Sequence, residues 1–566
     1  MTPANADVHT LTRSSTGSGN PVGRFGGSRT LWPSSDIRAH AVNESTEAPR
    51  SGTVAATDAF WLILTGFLSQ VLALGLALLL RRQLGPAGMG YVAVTQLVAS
   101  YAPYLSLGAM QAAEREIPIA IARGDEAGAR SLELAGVSVA FAVSVLACTA
   151  LFAYGALRST TDLLLGTAFI CASIILLTQQ IGIWATVRLR TRLRFTGLAW
   201  SSAAGAVASS ILAVVGATVS GAVGAIVGVV VAAVLQAALL YRVARIGRLA
   251  VPPRRSFRHL AALSPGFLAS GITATLLLTV DQLAVGFTLG ITSLGLYSAA
   301  YLGNAFAVRV PTLIGTVIYP RLQRELGATS DAGRVFTMAS RTTDALVIAM
   351  PVLVAAFLVT LPALVFLALP GYREAIGPMR LLLIGVVGLA FAMPADHYLL
   401  TVNRQWREVA ISASILAVMG CAYVLAGATG MMSLQVAAGV DVAGYLGYGI
   451  AMQVAAYRVA GQPTSQLVPL MPMYVLPTIE LLVGAAVADT LVPRLDPIGV
   501  LLNAGLQAGL FCMTWATVLW LHLRAHRESR GDILMVTELM GGAAGRIWAA
   551  VRRPNAHASS DPGPRS

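Results

Sequence analysis

Lysine is absent from this chain: all 39 basic residues are arginine, which reads as compositional bias and not as chemistry. Charge of either sign is scarce, at 11% of residues against 56% hydrophobic. Mean hydropathy is +0.71. Together these values exclude an ordinary soluble globular domain. Cysteine is rare, and Cys148, Cys171, Cys421 and Cys512 all fall inside apolar segments without metal-ligand spacing. Neither a disulfide framework nor a metal site is expected from them. No Walker motif or Gly-rich phosphate loop occurs, which argues against direct ATP hydrolysis. No short apolar core with a cleavage site begins the chain, so no secretory signal peptide is expected. The reading calls for no cofactor, no nucleic acid and no enzyme activity.

What the chain has instead is a succession of apolar stretches of about twenty residues between Val54 and His522. A hydrocarbon core of ~30 Å takes ~20 apolar residues per helical crossing. About fourteen crossings are expected, all helical, because closed barrels show alternating strands of about ten residues. The expected first seven run near 56–80, 89–112, 132–155, 162–186, 197–218, 221–241 and 261–289. The second seven run near 294–318, 342–368, 376–400, 408–428, 434–456, 468–489 and 498–522. Residues 1–53 carry no apolar periodicity and read as a disordered cytoplasmic tail. A further surface helix is expected over 531–553, within the C-terminal tail of 524–566.

Arginine then orients the chain. Even-numbered connectors hold twenty arginines and odd-numbered connectors six, counting Arg380 at the start of the tenth segment: Arg81, Arg82, Arg158, Arg373, Arg380 and Arg494. By the positive-inside rule both termini are expected in the cytoplasm, in a multi-pass cell-membrane protein. The longest arginine-bearing connectors suit an anionic leaflet.

The chain also repeats. LGPAGMGY (Leu84 to Tyr91) follows the first helix, and LGITSLGLY (Leu289 to Tyr297) follows the seventh. Each sets two glycines five apart, Gly85 with Gly90 and Gly290 with Gly295. A six-helix period has even parity, so two six-helix bundles are expected, related by a pseudo-twofold axis along the membrane normal. The expected organisation is an N-terminal bundle over 54–245, a basic cytoplasmic linker over 246–259, a C-terminal bundle over 260–460 and two further transmembrane helices over 461–523. A cleft is expected between the bundles, where transporter sites lie.

Polar residues inside such helices are the functional pointers, since a charge at a helix centre costs ~2.5–3.5 kcal/mol on insertion scales. Arg309 lies ~18 Å along its helix from Tyr297. It can fork onto pyrophosphate oxygens, or it can pair with Asp281. Asp281 is a candidate for coupling or gating, by binding a proton or a sodium ion or by trading partners with Arg309. Glu480 is either a hydrogen-bonded helix contact to Asn503 or Gln507, or a titrating carboxylate. Arg115 can meet phosphate at the inner mouth or belong to a solvated cluster with Glu114 and Glu116. Tyr91, Tyr101 and Tyr104 can stack on sugar rings or serve as packing. Arg81 and Arg82 read as anchors at the outer mouth, Gly221, Gly224 and Ala225 as a close helix approach.

Several of these stretches resemble a known family. LGPAGMGYVAV at Leu84, REIPIAIARGD at Arg115, DQLAVGFTLGITSLGLYSAAYL at Asp281 and VIYPRLQRELG at Val317 are similar to the polysaccharide flippases of the multidrug/oligosaccharidyl-lipid/polysaccharide exporter superfamily. The resemblance covers about residues 54–460. It implies a transporter that turns a polyprenyl-pyrophosphate-linked oligosaccharide across the cytoplasmic membrane by alternating access, with membrane lipid and glycan-synthesis enzymes as partners. Lipid II flippases, relatives with another cargo, are expected to carry cavity-facing arginines in the first helix; Gln70 stands there in this chain, as a substrate-binding candidate. A small-molecule antiporter on the same fold would want a carboxylate-rich cleft. A polyprenol-dependent glycosyltransferase or ligase would need an outward loop with carboxylates, and the loop RRQLGPAGMG has none.

Overall fold

A computed structural model describes residues 52–192, 194–245, 251–491 and 497–525, with side chains from Leu72 onward except at scattered positions. Residues 1–51 of the expected disordered tail, residues 246–250 of the basic linker and the surface helix over 531–553 lie outside the described residues, while 254–259 of the linker belong to a helix. Within them every regular element is a helix. They are α1 (Gly52–Ala99), α2 (Ala109–Ala122), α3 (Glu126–Arg158), α4 (Leu163–Thr191) and α5 (Phe195–Ala244). Next come α6 (Arg254–Leu277), α7 (Val280–Leu289), α8 (Ile291–Thr329), α9 (Ala332–Ala368) and α10 (Ile376–Thr401). Last are α11 (Gln405–Ala428), α12 (Leu434–Val459), α13 (Met471–Leu491) and α14 (Pro497–Ala525).

These elements make fourteen passes, because two of them turn back on themselves. α1 breaks at Gly85 and α5 at Ser220–Gly221. The second pass is the far half of α1 continued through the 3-10 turn Ala102–Ser106 into α2, and the seventh is α6 continued into α7. Seven helices satisfy a strict test of length and apolarity for crossing a membrane. α8 and α12 are not among them, since they bury Asn304, Asp441 and Gln453. Large apolar side chains such as Leu146, Val219, Phe287 and Val424 are exposed, as lipid-facing residues are. The fold is an all-α polytopic membrane architecture of two six-helix bundles and two additional C-terminal helices.

Each bundle has a physical reason for its centre. In the second, α10 is apolar all round and buried among α8, α9 and α12. Gly388 and Gly449 allow α10 and α12 to approach so closely that a Cβ at Gly388 would lie 2.3 Å from the Tyr445 carbonyl oxygen. In the first, α4 packs on α3 and α5. The halves of α5 meet where a Cβ at Gly224 would lie 2.0 Å from the Gly216 carbonyl oxygen, in the small-residue region that the sequence marks. A buried ion pair ties α3 to α4: Arg188 donates to both Glu133 carboxylate oxygens at 2.7 and 2.8 Å, and Trp184 Nε1 donates to the same group at 2.8 Å. Arg188 Nε also reaches the Ala244 carbonyl at 3.1 Å, fixing the end of α5.

The bundles meet at two places. At the arginine-poor end the two repeat turns cross. Gly85 (φ 64°, ψ 178°) and Gly290 (φ 84°, ψ −179°) have the same backbone conformation, one open to almost no residue but glycine. Beyond each turn the partner glycine lets the other chain in. A Cβ at Gly90 would lie 2.1 Å from the Ile291 carbonyl oxygen, and one at Gly295 would lie 1.8 Å from the Pro86 carbonyl oxygen. Ile291 follows Gly290 as Pro86 follows Gly85, so the contact is reciprocal, as a twofold relation requires. Toward the arginine-rich end, α6 packs on α2 and α3, with Ser131–Ser256 (2.9 Å) and Glu116–His259 (3.1 Å) across the contact.

Removing one member of a buried ion pair strands the other, at a cost of about 3–5 kcal/mol. Glu133→Ala is therefore expected to destabilise the protein by about 3 kcal/mol. Thermal unfolding in detergent checks this, and an unchanged midpoint would show the α3–α4 tie to be dispensable.

Candidate functional site

Inside the first bundle, the second pass, α4 and the two halves of α5 stand apart and enclose a cavity of about 750 Å³. Its walls mix amide and hydroxyl side chains, among them Gln96, Gln111, Gln179, Gln236, Thr186 and Ser209, with apolar ones such as Met110, Ile175, Ile183, Val229 and Leu240. No aromatic side chain lines it, and its one acid, Glu114, is 3.3 Å from Arg190, which also lines it. The lining is thus amphipathic, and its two charges pair with each other. Helix geometry sets this lining: Gln179, Thr186 and Arg190 repeat at seven and four residues, one face of α4.

The cleft expected between the bundles is not what encloses this volume, since every lining residue belongs to the first bundle. The reason is the closure of the interface described above, by backbone crossing at one end and by α6 at the other. Tyr101 lies on that interface. Its hydroxyl meets the Thr279 hydroxyl at 2.7 Å, and the Tyr104 hydroxyl meets that of Thr275. These aromatics join the second pass to the α6–α7 break and do not line the cavity.

Arg309 is exposed on α8. It follows Ser298 by about three turns and so shares that residue's face, the one turned toward α1. Asp281 is not its partner. Asp281 is wholly buried in the first turn of α7, just past the break at Thr279, and its neighbour is the equally buried carboxyl of Asp441 on α12. Asp441 accepts from the Tyr423 hydroxyl at 2.6 Å and the Tyr297 hydroxyl at 3.2 Å. Neither Asp281 oxygen has a hydrogen bond of good geometry among the described residues. Two adjacent carboxylates in a low-dielectric site repel, which makes the pair a seat for a proton or a small cation.

The remaining candidates are spread out. Arg115 is exposed on α2 and within electrostatic reach of Tyr319 on α8. Glu480 on α13 lines a void of about 20 Å³ with Gln507, and Gln507 donates to Asn503 at 2.6 Å. Gln70 lies on α1, where its side chain is outside the described ones. No candidate from the sequence lines the first-bundle cavity, while Glu114 and Arg190 do. Asp441 and the four glutamines were visible as polar residues within apolar stretches. Only folding shows which of them share a space.

The first half of the chain, residues 55–325, matches the family described as polysaccharide biosynthesis protein. Among solved structures, the fold is similar to the lipid II flippase MurJ in an inward closed conformation, at 10% identity and a TM-score of 0.59, covering 82% of this chain and 99% of that one. It is also similar to an inward-facing multidrug resistance MATE family transporter of the MOP superfamily, at 15% identity and a TM-score of 0.55, covering 69% of this chain and 94% of that one. No curated protein matches the chain at a significant level.

Asp281 sits against a second buried carboxyl, and Asp281→Asn replaces that acid–acid contact with an uncharged amide. The substitution is expected to raise stability by about 1 kcal/mol. A lowered thermal midpoint in detergent would show that the carboxylate has a stabilising partner.

Proposed function

We propose that the chain, whose residues 55–325 match the polysaccharide biosynthesis family, is a flippase of the multidrug/oligosaccharidyl-lipid/polysaccharide exporter superfamily that turns a polyprenyl-pyrophosphate-linked oligosaccharide across the cytoplasmic membrane by alternating access. The observation that carries this reading is the set of polar groups in the first-bundle cavity: amides, hydroxyls and one self-neutralised ion pair, set among apolar side chains. Amides and hydroxyls both donate and accept, which matches the alternating donors and acceptors of a polyol. A cavity for cationic drugs would present unpaired carboxylate instead, because a buried cation needs a counter-charge.

The cargo is divided by its own chemistry. The glycan is polar and uncharged, and the cavity suits it. The diphosphate is anionic, and Arg309 on α8 and Arg115 on α2 are exposed cations. Guanidinium suits diphosphate because it offers paired donors and stays charged at any working pH. The prenyl tail stays in lipid along the exposed apolar faces.

Coupling follows from the electrostatics. With the termini and the arginine-rich end in the cytoplasm, an inside-negative potential opposes outward movement of an anion by ~2.3 kcal/mol per charge per 100 mV. The Asp281–Asp441 pair can load a proton or small cation from outside and release it inside, so that return of the carrier offsets that cost. The seventh pass is discontinuous at this point, and such broken helices are where transporters seat coupling ions.

The test is reconstitution into vesicles with a fluorescent polyprenyl-pyrophosphate glycan, following its accessibility from each side. Gln179→Leu with Gln236→Leu is expected to slow transport about tenfold or more, each change leaving sugar hydroxyls unpaired at ~1–3 kcal/mol. Arg309→Ala is expected to slow it similarly. Full activity in the double glutamine variant would remove the cavity from the pathway, and equal movement of lipids lacking pyrophosphate would identify a scramblase.

A further inference from the structure

Arg81 lies in the first pass four residues before Gly85, and it is only 6% exposed. Its partners are backbone carbonyls: Nη1 donates to Ala77 at 3.2 Å, and Nη2 crosses to Ser298 on α8 at 3.0 Å. Its own carbonyl accepts from the Tyr372 hydroxyl at 3.3 Å, bringing in the turn between α9 and α10. Nε has no partner, and no carboxylate pairs with the guanidinium among the described residues. The nearby charged side chains Arg82, which is exposed, and Arg373, stacked on Phe366 at 4.1 Å, are cations too and add to the positive charge of this end. A buried cation held only by neutral carbonyls is an unusual arrangement, because the charge is desolvated without a counter-charge.

The position of Arg81 explains the arrangement. Its cross-bundle bond to Ser298 lies beside the reciprocal crossing of Gly90 with Ile291 and Gly295 with Pro86. These contacts share one feature: all are lost if α8 moves away from α1. Ser298 then carries its carbonyl off, the guanidinium loses its cross-bundle acceptor, and a fork of N–H donors faces the widening gap.

We propose that Arg81 is a gate-dependent anion contact: hidden on the Ser298 carbonyl while the arginine-poor end is closed, and offered to phosphate oxygens when it opens. The proposal rests on the flippase reading for its physiological ligand, a lipid diphosphate arriving at the outer leaflet. The anion competes with the carbonyl for the same donors, and a charge-assisted bond is roughly twice as strong as a neutral one. Bound cargo therefore favours the open state by its differential affinity, and its departure lets the carbonyl return and the gate close.

The experiment uses the full chain in detergent with three probes: farnesyl diphosphate, inorganic pyrophosphate and uncharged farnesol. Gly295→Val puts a side chain where Pro86 already stands and holds the crossing apart; Gly90→Ala does the same from the other repeat. Hydrogen exchange over residues 86–95 and 291–300 reports the opening. The opened variants are expected to bind farnesyl diphosphate at least tenfold more tightly than the wild type, with farnesol unchanged. Adding Arg81→Gln removes that gain, and Arg81→Lys restores part of it. Pyrophosphate binding as well as farnesyl diphosphate assigns recognition to phosphate alone, and a preference for the lipid form adds a tail contact; both support the proposal. A gain that survives Arg81→Gln, an equal gain for farnesol, or faster exchange with no gain in anion binding overturns it. Arg81→Gln alone in the otherwise wild-type chain is expected to speed exchange over 291–300 several-fold, and unchanged exchange there also overturns it. If the anion gain stands while vesicles fail to move the glycan lipid, the flippase reading falls and the Arg81 site remains.

Discussion

The rest of the architecture depends on one constraint: two helical turns from different bundles pass each other at backbone contact. Such an approach has no room for a Cβ, so Gly90 faces Ile291 and Gly295 faces Pro86. Packing of this kind is short-ranged and all-or-none, because van der Waals attraction collapses once a gap opens. A contact that is either made or lost, and not gradually stretched, is suited to a gate. The reciprocity of the crossing follows from duplication, since each repeat supplies both a tight turn and the glycine that receives its partner.

Closure at that end has consequences for where polar volume can exist. Tyr101 and Tyr104 spend their hydroxyls on Thr279 and Thr275, and α6 lies along α2 and α3. With that interface occupied, the roomy polar space lies within the first bundle, held open by α4 and the folded α5. The Glu133–Arg188–Trp184 cluster braces α3 against α4, next to the cavity. Polar groups are concentrated differently in the second bundle, where α10 fills the centre and the acid pair of Asp281 and Asp441 sits beside it among tyrosines. One bundle has the room and the other has the buried acids.

Much of the fold was legible before any coordinates. Segment length and apolarity dictated helices, because a backbone in hydrocarbon must satisfy its own hydrogen bonds. Arginine distribution sorted the connectors into two sets, and the structure groups each set at its own end: Arg81 with Tyr372, Tyr91 with Asp162, against Arg190 with Glu114 and Arg192 with Glu126. The repeated glycine turns foretold two related bundles. Less of the site was legible. Asp281 stood out as an acid in an apolar helix, but the partner considered for it was Arg309, one of two alternatives for that arginine, and its neighbour is Asp441.

That division has a physical cause. Solvent preference, helix length and backbone freedom at glycine are properties of a residue and its near neighbours, so the chain alone determined its helices, its membrane setting and its internal duplication. Which polar side chains face a common space depends on the rotation and separation of helices distant in sequence. Gln96, Gln179 and Gln236 came to share one cavity, Arg81 met Ser298 across 217 positions, and two repeat turns became one crossing only through tertiary packing.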